Sequence, residues 1–133
     1  MRLMTSVLLA ALSPLAMAAD AFPSKPLRMI VAFGAGGSSD IVGRLVSQRM
    51  TETLRQSVIV ENRTGAGGNI AFEYVAKSDP DGYTLVIGTP GVAANPTLYR
   101  RAGFKADDFV AISLVGSSPL LMMVHPSLPV ANP

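Results

Sequence analysis

Apolar and polar positions alternate between two periods along the chain. From Leu27 to Phe33 the run LRMIVAF is apolar apart from Arg28. A run of that length predicts a strand covered on both faces. After Gly34-Ala35-Gly36-Gly37, Val42, Val46, Met50 and Leu54 recur every fourth residue, with Ile41 and Leu45 beside them. Arg44, Gln48, Glu52 and Arg55 take the other faces, so the segment predicts an amphipathic helix. Ser38-Ser39-Asp40 opens it, because Ser and Asp cap helix starts and an acid in the first turn suits the dipole. The pattern then repeats. Ser57 to Glu61 predicts a second strand, Gly65-Ala66-Gly67-Gly68 follows, and Asn69 can cap a helix with Phe72, Val75 and Ala76 on its apolar stripe. Asp79-Pro80-Asp81-Gly82 sets a turn. Tyr83 to Ile87 predicts a third strand, ending at Gly88-Thr89-Pro90-Gly91. Two more apolar runs, AISLV and LLMMV within residues 110–124, predict further strands. Strands alternating with helices imply right-handed crossovers and an α/β fold with a mostly parallel sheet.

The first residues read differently. Arg2 precedes an apolar stretch from Leu3 to Leu12, Pro14 interrupts it, and Ala16-Met17-Ala18 has the small-x-small form of a cleavage site. The uninterrupted stretch is shorter than the roughly 20 residues a spanning helix needs. Residues 1–19 therefore predict a secretory signal peptide, and residues 20–133 a mature chain that works in the periplasm. Losing Arg2 leaves that chain nearly neutral, since the whole has 11 basic and 9 acidic residues. So small a surplus leaves no electrostatic footprint for nucleic acid. The absence of Cys excludes a thiolate metal site and a Cys nucleophile, and a single His leaves little for a metal centre or a triad. At 49% apolar and 15% charged, the chain has the composition of a folded domain. No paired carboxylates, nucleophile elbow or metal spacing points to catalysis, and no resident cofactor is implied.

In a doubly wound sheet, ligands bind beyond the carboxyl ends of the strands. That rule selects the loops 33–40 and 88–95. The first joins a glycine turn to a helix start, where unbonded N–H groups favour an anion. The site it predicts would hold a carboxylate through neutral donors: Ser38, Ser39 and backbone amides, with Thr89 and Asn95 opposite. The same glycines also serve as plain βα turns, and both roles stay open. For Gly65 to Gly68 a structural role is favoured. Asp40 suits a ligand ammonium or the helix dipole, and the dipole is favoured. Arg100-Arg101 reads as a solvated helix end, and His125 as a strand end.

A nucleotide reading competes. Gly34-x-Gly36-x-x-Ser39 nearly matches the dinucleotide fingerprint, and Glu61 stands where a ribose-binding acid belongs. Ser39 replaces the small third residue, and export separates the chain from the cofactor. No Gly-Lys-Ser/Thr is present, so a P-loop is excluded. A Rossmann-like enzyme fragment and a remnant without function remain the alternatives.

A longer string then comes into view. It runs Phe22-Pro23-Ser24-Lys25-Pro26-Leu27, Gly36-Gly37-Ser38-Ser39-Asp40 and Val60-Glu61-Asn62-Arg63-Thr64-Gly65-Ala66-Gly67-Gly68-Asn69. It continues with Pro80-Asp81-Gly82-Tyr83-Thr84-Leu85, Asn95-Pro96-Thr97-Leu98-Tyr99 and His125-Pro126-Ser127-Leu128-Pro129. In this order the chain resembles the Bug family, the extracytoplasmic solute-binding receptors of tripartite tricarboxylate transporters. The resemblance implies a type II periplasmic-binding-protein-like clamshell of two α/β lobes, of which this chain carries an incomplete first lobe. It implies a small carboxylate ligand: a di- or tricarboxylate, an amino acid or an aromatic acid. It also implies membrane subunits of the transporter as partners. By similarity the ligand carboxylate falls on Phe33, Gly34, Ala35, Gly36, Gly37, Ser38, Ser39 and Asp40, with Thr89, Pro90, Gly91 and Asn95 contributing. Family loops often carry Pro where this chain has Ala32 and Gly34, and Gly34 raises the entropy cost of ordering the loop. The missing second lobe implies a truncated receptor, whose bound anion faces water and is held weakly.

Overall fold

A computed structural model describes residues 21–119, 121, 123–125 and 127, so the leader expected at 1–19 lies outside the described residues. Three strands form one parallel sheet: β1 (Leu27–Val31), β2 (Val58–Asn62) and β3 (Thr84–Ile87), in the order β2-β1-β3. Helix α1 (Ser38–Leu54) joins β1 to β2, and α2 (Asn69–Ala76) lies between β2 and β3. A further helix, α3 (Gly91–Leu98), follows β3.

β1 is the central strand because it is the one that tolerates water on neither face. Leu27, Met29, Ile30 and Val31 are all buried. The period of two splits them. Met29 and Val31 join Ile87 on the face where Val46 and Met50 of α1 pack. Ile30 and Ala32 join Ala71 and Phe72 of α2 on the other. Fully burying each large apolar side chain contributes about 1.5–3 kcal/mol. Phe104 and Phe109 then close edge-on against Phe72, at ring separations of 5.4 and 6.4 Å. The α/β class and the parallel sheet expected from the sequence are both present.

Three expectations are corrected. Helix α1 does not lead with its apolar stripe. Its closest face to the sheet is Asp40, Gly43 and Ser47, which are buried, while Ile41 and Leu45 are exposed. The reason is space: a Cβ on Gly43 would stand 2.9 Å from Val31 Cγ2. Small residues let the helix axis approach, and Val46 and Met50 fill the flank. Nor does a Ser or Asp side chain cap α1; Gly37 occupies the cap position in extended backbone, with no side-chain bond. Finally, AISLV and LLMMV form no strand among the described residues, where Val110, Ile112, Leu114, Leu121 and Met123 are exposed. A strand needs a partner edge in register, not only apolar side chains. Phe104 and Phe109 dock the preceding segment on the α2 face, and the run after them pairs with neither β2 nor β3. His125 therefore ends no strand; its Nδ1 lies 2.7 Å from Ser127 Oγ.

Among the described residues no helix is long and apolar enough to cross a membrane. No group of metal-ligating side chains gathers there either.

Candidate functional site

The strand order decides where the site can form. The chain leaves β1 to one side to make β2, then returns to the other side of β1 as β3. That reversal falls between β1 and β3, and the space beyond the carboxyl ends of strands at such a point is where open α/β sheets take ligands. The loop after β1 runs from Ala32 to Gly37. The loop after β3 is short, Gly88 to Pro90. Gly91 to Asn95, expected as loop, are helical, and Pro90 holds the cap position of α3. Packing brings the two strand ends near each other: a Cβ on Gly68 would meet Ala32 and Phe72, and one on Gly91 would meet the same Phe72 ring.

Phe33, Gly34, Ala35, Gly36, Gly37 and Ser38 are exposed, and Ser39 and Thr89 are half-buried. Nothing lies within 4 Å of where a Cβ would stand on Gly34 or Gly36. Gly36 has φ +83, a left-handed angle that glycine adopts without strain. Among the described residues the amides of Ala35, Ser38 and Ser39 make no backbone bond outside the helix, and the first helical N–H groups have no partner inside it. These donors can receive an anion from solvent.

Asp40 lies beneath this loop rather than in it, with 2% of its surface exposed. Its Oδ2 accepts the Gly36 amide at 2.9 Å and Arg44 Nε at 2.9 Å. Its Oδ1 accepts Asn62 Nδ2 at 2.9 Å. Asn62 Nδ2 also donates to Phe33 O at 2.9 Å. Hydrogen bonds from Arg44, from the Gly36 amide and from Asn62 hold the Asp40 carboxyl far below the usual carboxylate range. It stays ionised at any physiological pH.

Asn95 is also buried. Its Nδ2 donates to Gly67 O at 3.0 Å and Asn69 Oδ1 at 2.6 Å, which ties α3 to the start of α2. Of the twelve residues named from sequence and resemblance, the structure thus gathers Phe33 to Ser39 at one strand end and Thr89 to Gly91 at its neighbour. Asp40 and Asn95 sit below, holding backbone. Asn62 and Arg44 escaped the sequence reading. The spacing of Asp40 and Arg44 by four signals a helical ion pair. Asn62 gave no signal of its own, because it reaches Asp40 only through the register that sets Val31 beside it.

Glu61, which the nucleotide reading needs free, is taken. Its Oε1 accepts Arg28 Nε at 2.7 Å, its Oε2 accepts Arg28 Nη2 at 2.9 Å, and Arg63 lies 3.3 Å away. The Arg28 bonds lead in lowering its pKa.

Comparison with known proteins bears on the family and the fold. The family described as "Tripartite tricarboxylate transporter family receptor" matches residues 42–132. Protein BugT of Bordetella pertussis is 39% identical over 113 residues, covering 83% of this chain and 35% of that protein. A protein of Agrobacterium vitis, encoded in the TAR-I ttuE-ttuC' intergenic region, is 44% identical over 109 residues, covering 81% and 32%. The chain thus spans about a third of the length of the curated relatives it matches. Among solved structures, MatC from Rhodopseudomonas palustris with bound malate is 39% identical at a TM-score of 0.63, over 66% of this chain and 31% of that one. An R. palustris protein solved with adipate is 42% identical at a TM-score of 0.62, over 65% and 29%. The periplasmic binding protein BugD is 40% identical at 0.61, over 64% and 28%. A shared sequence string, a shared sheet and a family match over most of its length agree: the chain belongs to the receptor family of tripartite tricarboxylate transporters.

Proposed function

We propose that this chain supplies the carboxylate-holding loop of one lobe of a periplasmic solute-binding receptor, exported by the leader at residues 1–19. Its ligand is a small carboxylic acid, which it delivers to the membrane subunits of a tripartite transporter. It acts by binding and not by catalysis. The observation that carries this reading is the first glycine loop: exposed backbone whose amides at Ala35, Ser38 and Ser39 have no partner in the loop. Hydrogen bonds from such donors to a charged group contribute about 1.5–3 kcal/mol each. Phe33, Gly34, Gly36 and Gly37 shape the approach, and Thr89, Pro90 and Gly91 bound it from the next strand. Charge supports the same reading. A lone buried carboxylate under the loop would repel an acid, and the Arg44 guanidinium at 2.9 Å neutralises it. The ligands named for two structural neighbours, malate and adipate, belong to the same chemical class.

Titrating the isotope-labelled chain with adipate and with L-malate, and separately with NADH, tests this. Amide shifts of Ala35, Ser38 and Ser39 with the acids and not with NADH are the expected result. Shifts with NADH alone would replace the receptor by a nucleotide-binding protein.

A further inference from the structure

A loop built from Gly34, Gly36 and Gly37 has little of its own to hold it in shape. Nothing stands within 4 Å of where a Cβ would sit on Gly34 or Gly36. A flexible loop must be ordered when the ligand arrives, and that cost is subtracted from affinity. Yet two points of this loop are fastened from below, and both fastenings meet at one place. Phe33 O, at its start, accepts from Asn62 Nδ2, and Gly36 N donates to Asp40 Oδ2. Asn62 Nδ2 and Asp40 Oδ1 then bond to each other at 2.9 Å.

We propose that Asp40 and Asn62 are positioning residues that hold the first glycine loop in its binding shape before any ligand arrives. The proposal rests on the receptor reading above. Neither side chain needs to touch the ligand. Asn62 ends β2, and its place is fixed by the strand register that pairs it with Val31. Asp40 belongs to the first turn of α1 and is buried by the sheet. The loop is therefore fixed to two elements of the core. Turning the Gly36 N–H inward also sorts the donors. Gly36 is engaged by the protein, and Ala35, Ser38 and Ser39 are left to a ligand. Only a carboxylate at position 40 accepts from Gly36, Arg44 and Asn62 together. A carboxamide there would set its own NH2 against one of them.

Asp40→Ala, Asn62→Ala and Arg44→Gln test this in the purified chain. Two quantities are read: affinity for adipate and L-malate, and amide hydrogen exchange at Gly36 and at Ile30. Asp40→Ala and Asn62→Ala are expected to speed Gly36 exchange and to weaken both acids about tenfold. Ile30, at the centre of β1, should keep its protection and so certify the fold. Arg44→Gln removes the Arg44 bonds to Asp40 Oδ2 and, at 3.4 Å, to Asn62 Oδ1, but leaves the Asp40 bonds to Gly36 and Asn62 in place, and should leave Gly36 protected. Unchanged Gly36 protection in the first two variants would overturn the proposal, and so would faster exchange with unchanged affinity. Because a single lobe holds its anion weakly, both acids are titrated up to their solubility; if the unaltered chain binds neither even there, the receptor reading itself fails, while Gly36 exchange still decides whether Asp40 and Asn62 order the loop.

Discussion

The tetrad Gly-Ala-Gly-Gly occurs twice, after β1 and after β2, and its two copies meet opposite surroundings. At Gly65, Gly67 and Gly68 a Cβ would collide with Ile70 at 2.6 Å, Tyr99 Oη at 2.5 Å and Phe72 at 3.0 Å. All three have positive φ. At Gly34 and Gly36 the same test finds open space. The second copy is closed over although only Gly68 is buried: Ile70, Tyr99 and Phe72 stand where its Cβ atoms would be, and Asn95 clasps the Gly67 carbonyl. The first copy is held from beneath and bare above. Identical local sequence is therefore closed over by side chains in one place and left open in the other, where the proposed function puts the ligand, and what lies over the backbone separates them.

Breaking the packed copy should have the largest effect. Gly68→Ala adds a Cβ at φ +96, against Phe72 at 3.0 Å and Ala32 Cβ at 3.2 Å. Left-handed strain for a residue with a Cβ costs about 1–2 kcal/mol, and crowding adds to it. Chemical denaturation should show a clear loss of stability; an unchanged midpoint would mean that the second copy is not a packing device.

A smaller effect comes from acid. Asp40 is depressed in the folded chain and titrates near its ordinary value, about 3.9, when unfolded. A depressed carboxylate contributes stability that is complete above the unfolded value and is lost as pH falls towards the folded one. Melting followed between about pH 6 and about pH 3 should therefore fall less steeply in Asp40→Asn than in the unaltered chain. Glu61 and Asp81 are lowered as well, but they titrate alike in both proteins. Parallel slopes would mean that the Asp40 cluster is not formed.

The smallest effect belongs to the bare copy. Gly34→Ala meets no neighbour, so the fold should lose nothing and gain up to about 1 kcal/mol from a stiffer unfolded chain. Destabilisation in the same denaturation experiment would show that Gly34 is packed after all, and would erase the contrast.

Much of this was legible in the sequence because β1 is buried on both faces and reads as one apolar run. From it the parallel sheet, both crossover helices and the two candidate loops followed. Helix α3 was not legible. It contains Gly91 and Pro96, which lower helix propensity, and it is held by the Asn95 bonds to a distant loop. The runs at 110–124 misled in the opposite sense, since apolar β-branched residues suggest a strand while only a partner edge makes one. In the site, Asp40 was visible as a first-turn acid. Its task under the loop was not, because Asn62 lies on β2 and comes near only through the register that sets it beside Val31. The two tetrads were told apart in the sequence, where a structural role was favoured for Gly65 to Gly68; what stayed hidden was Tyr99, which reaches the second copy only through tertiary packing.

The most direct measurement maps where an acid lands. In the titration with adipate, the account predicts that the largest amide shifts fall at Ala35, Ser38 and Ser39, and that Gly65 to Asn69 stay still. Shifts centred on Gly65 to Asn69, or none at either tetrad, would contradict it.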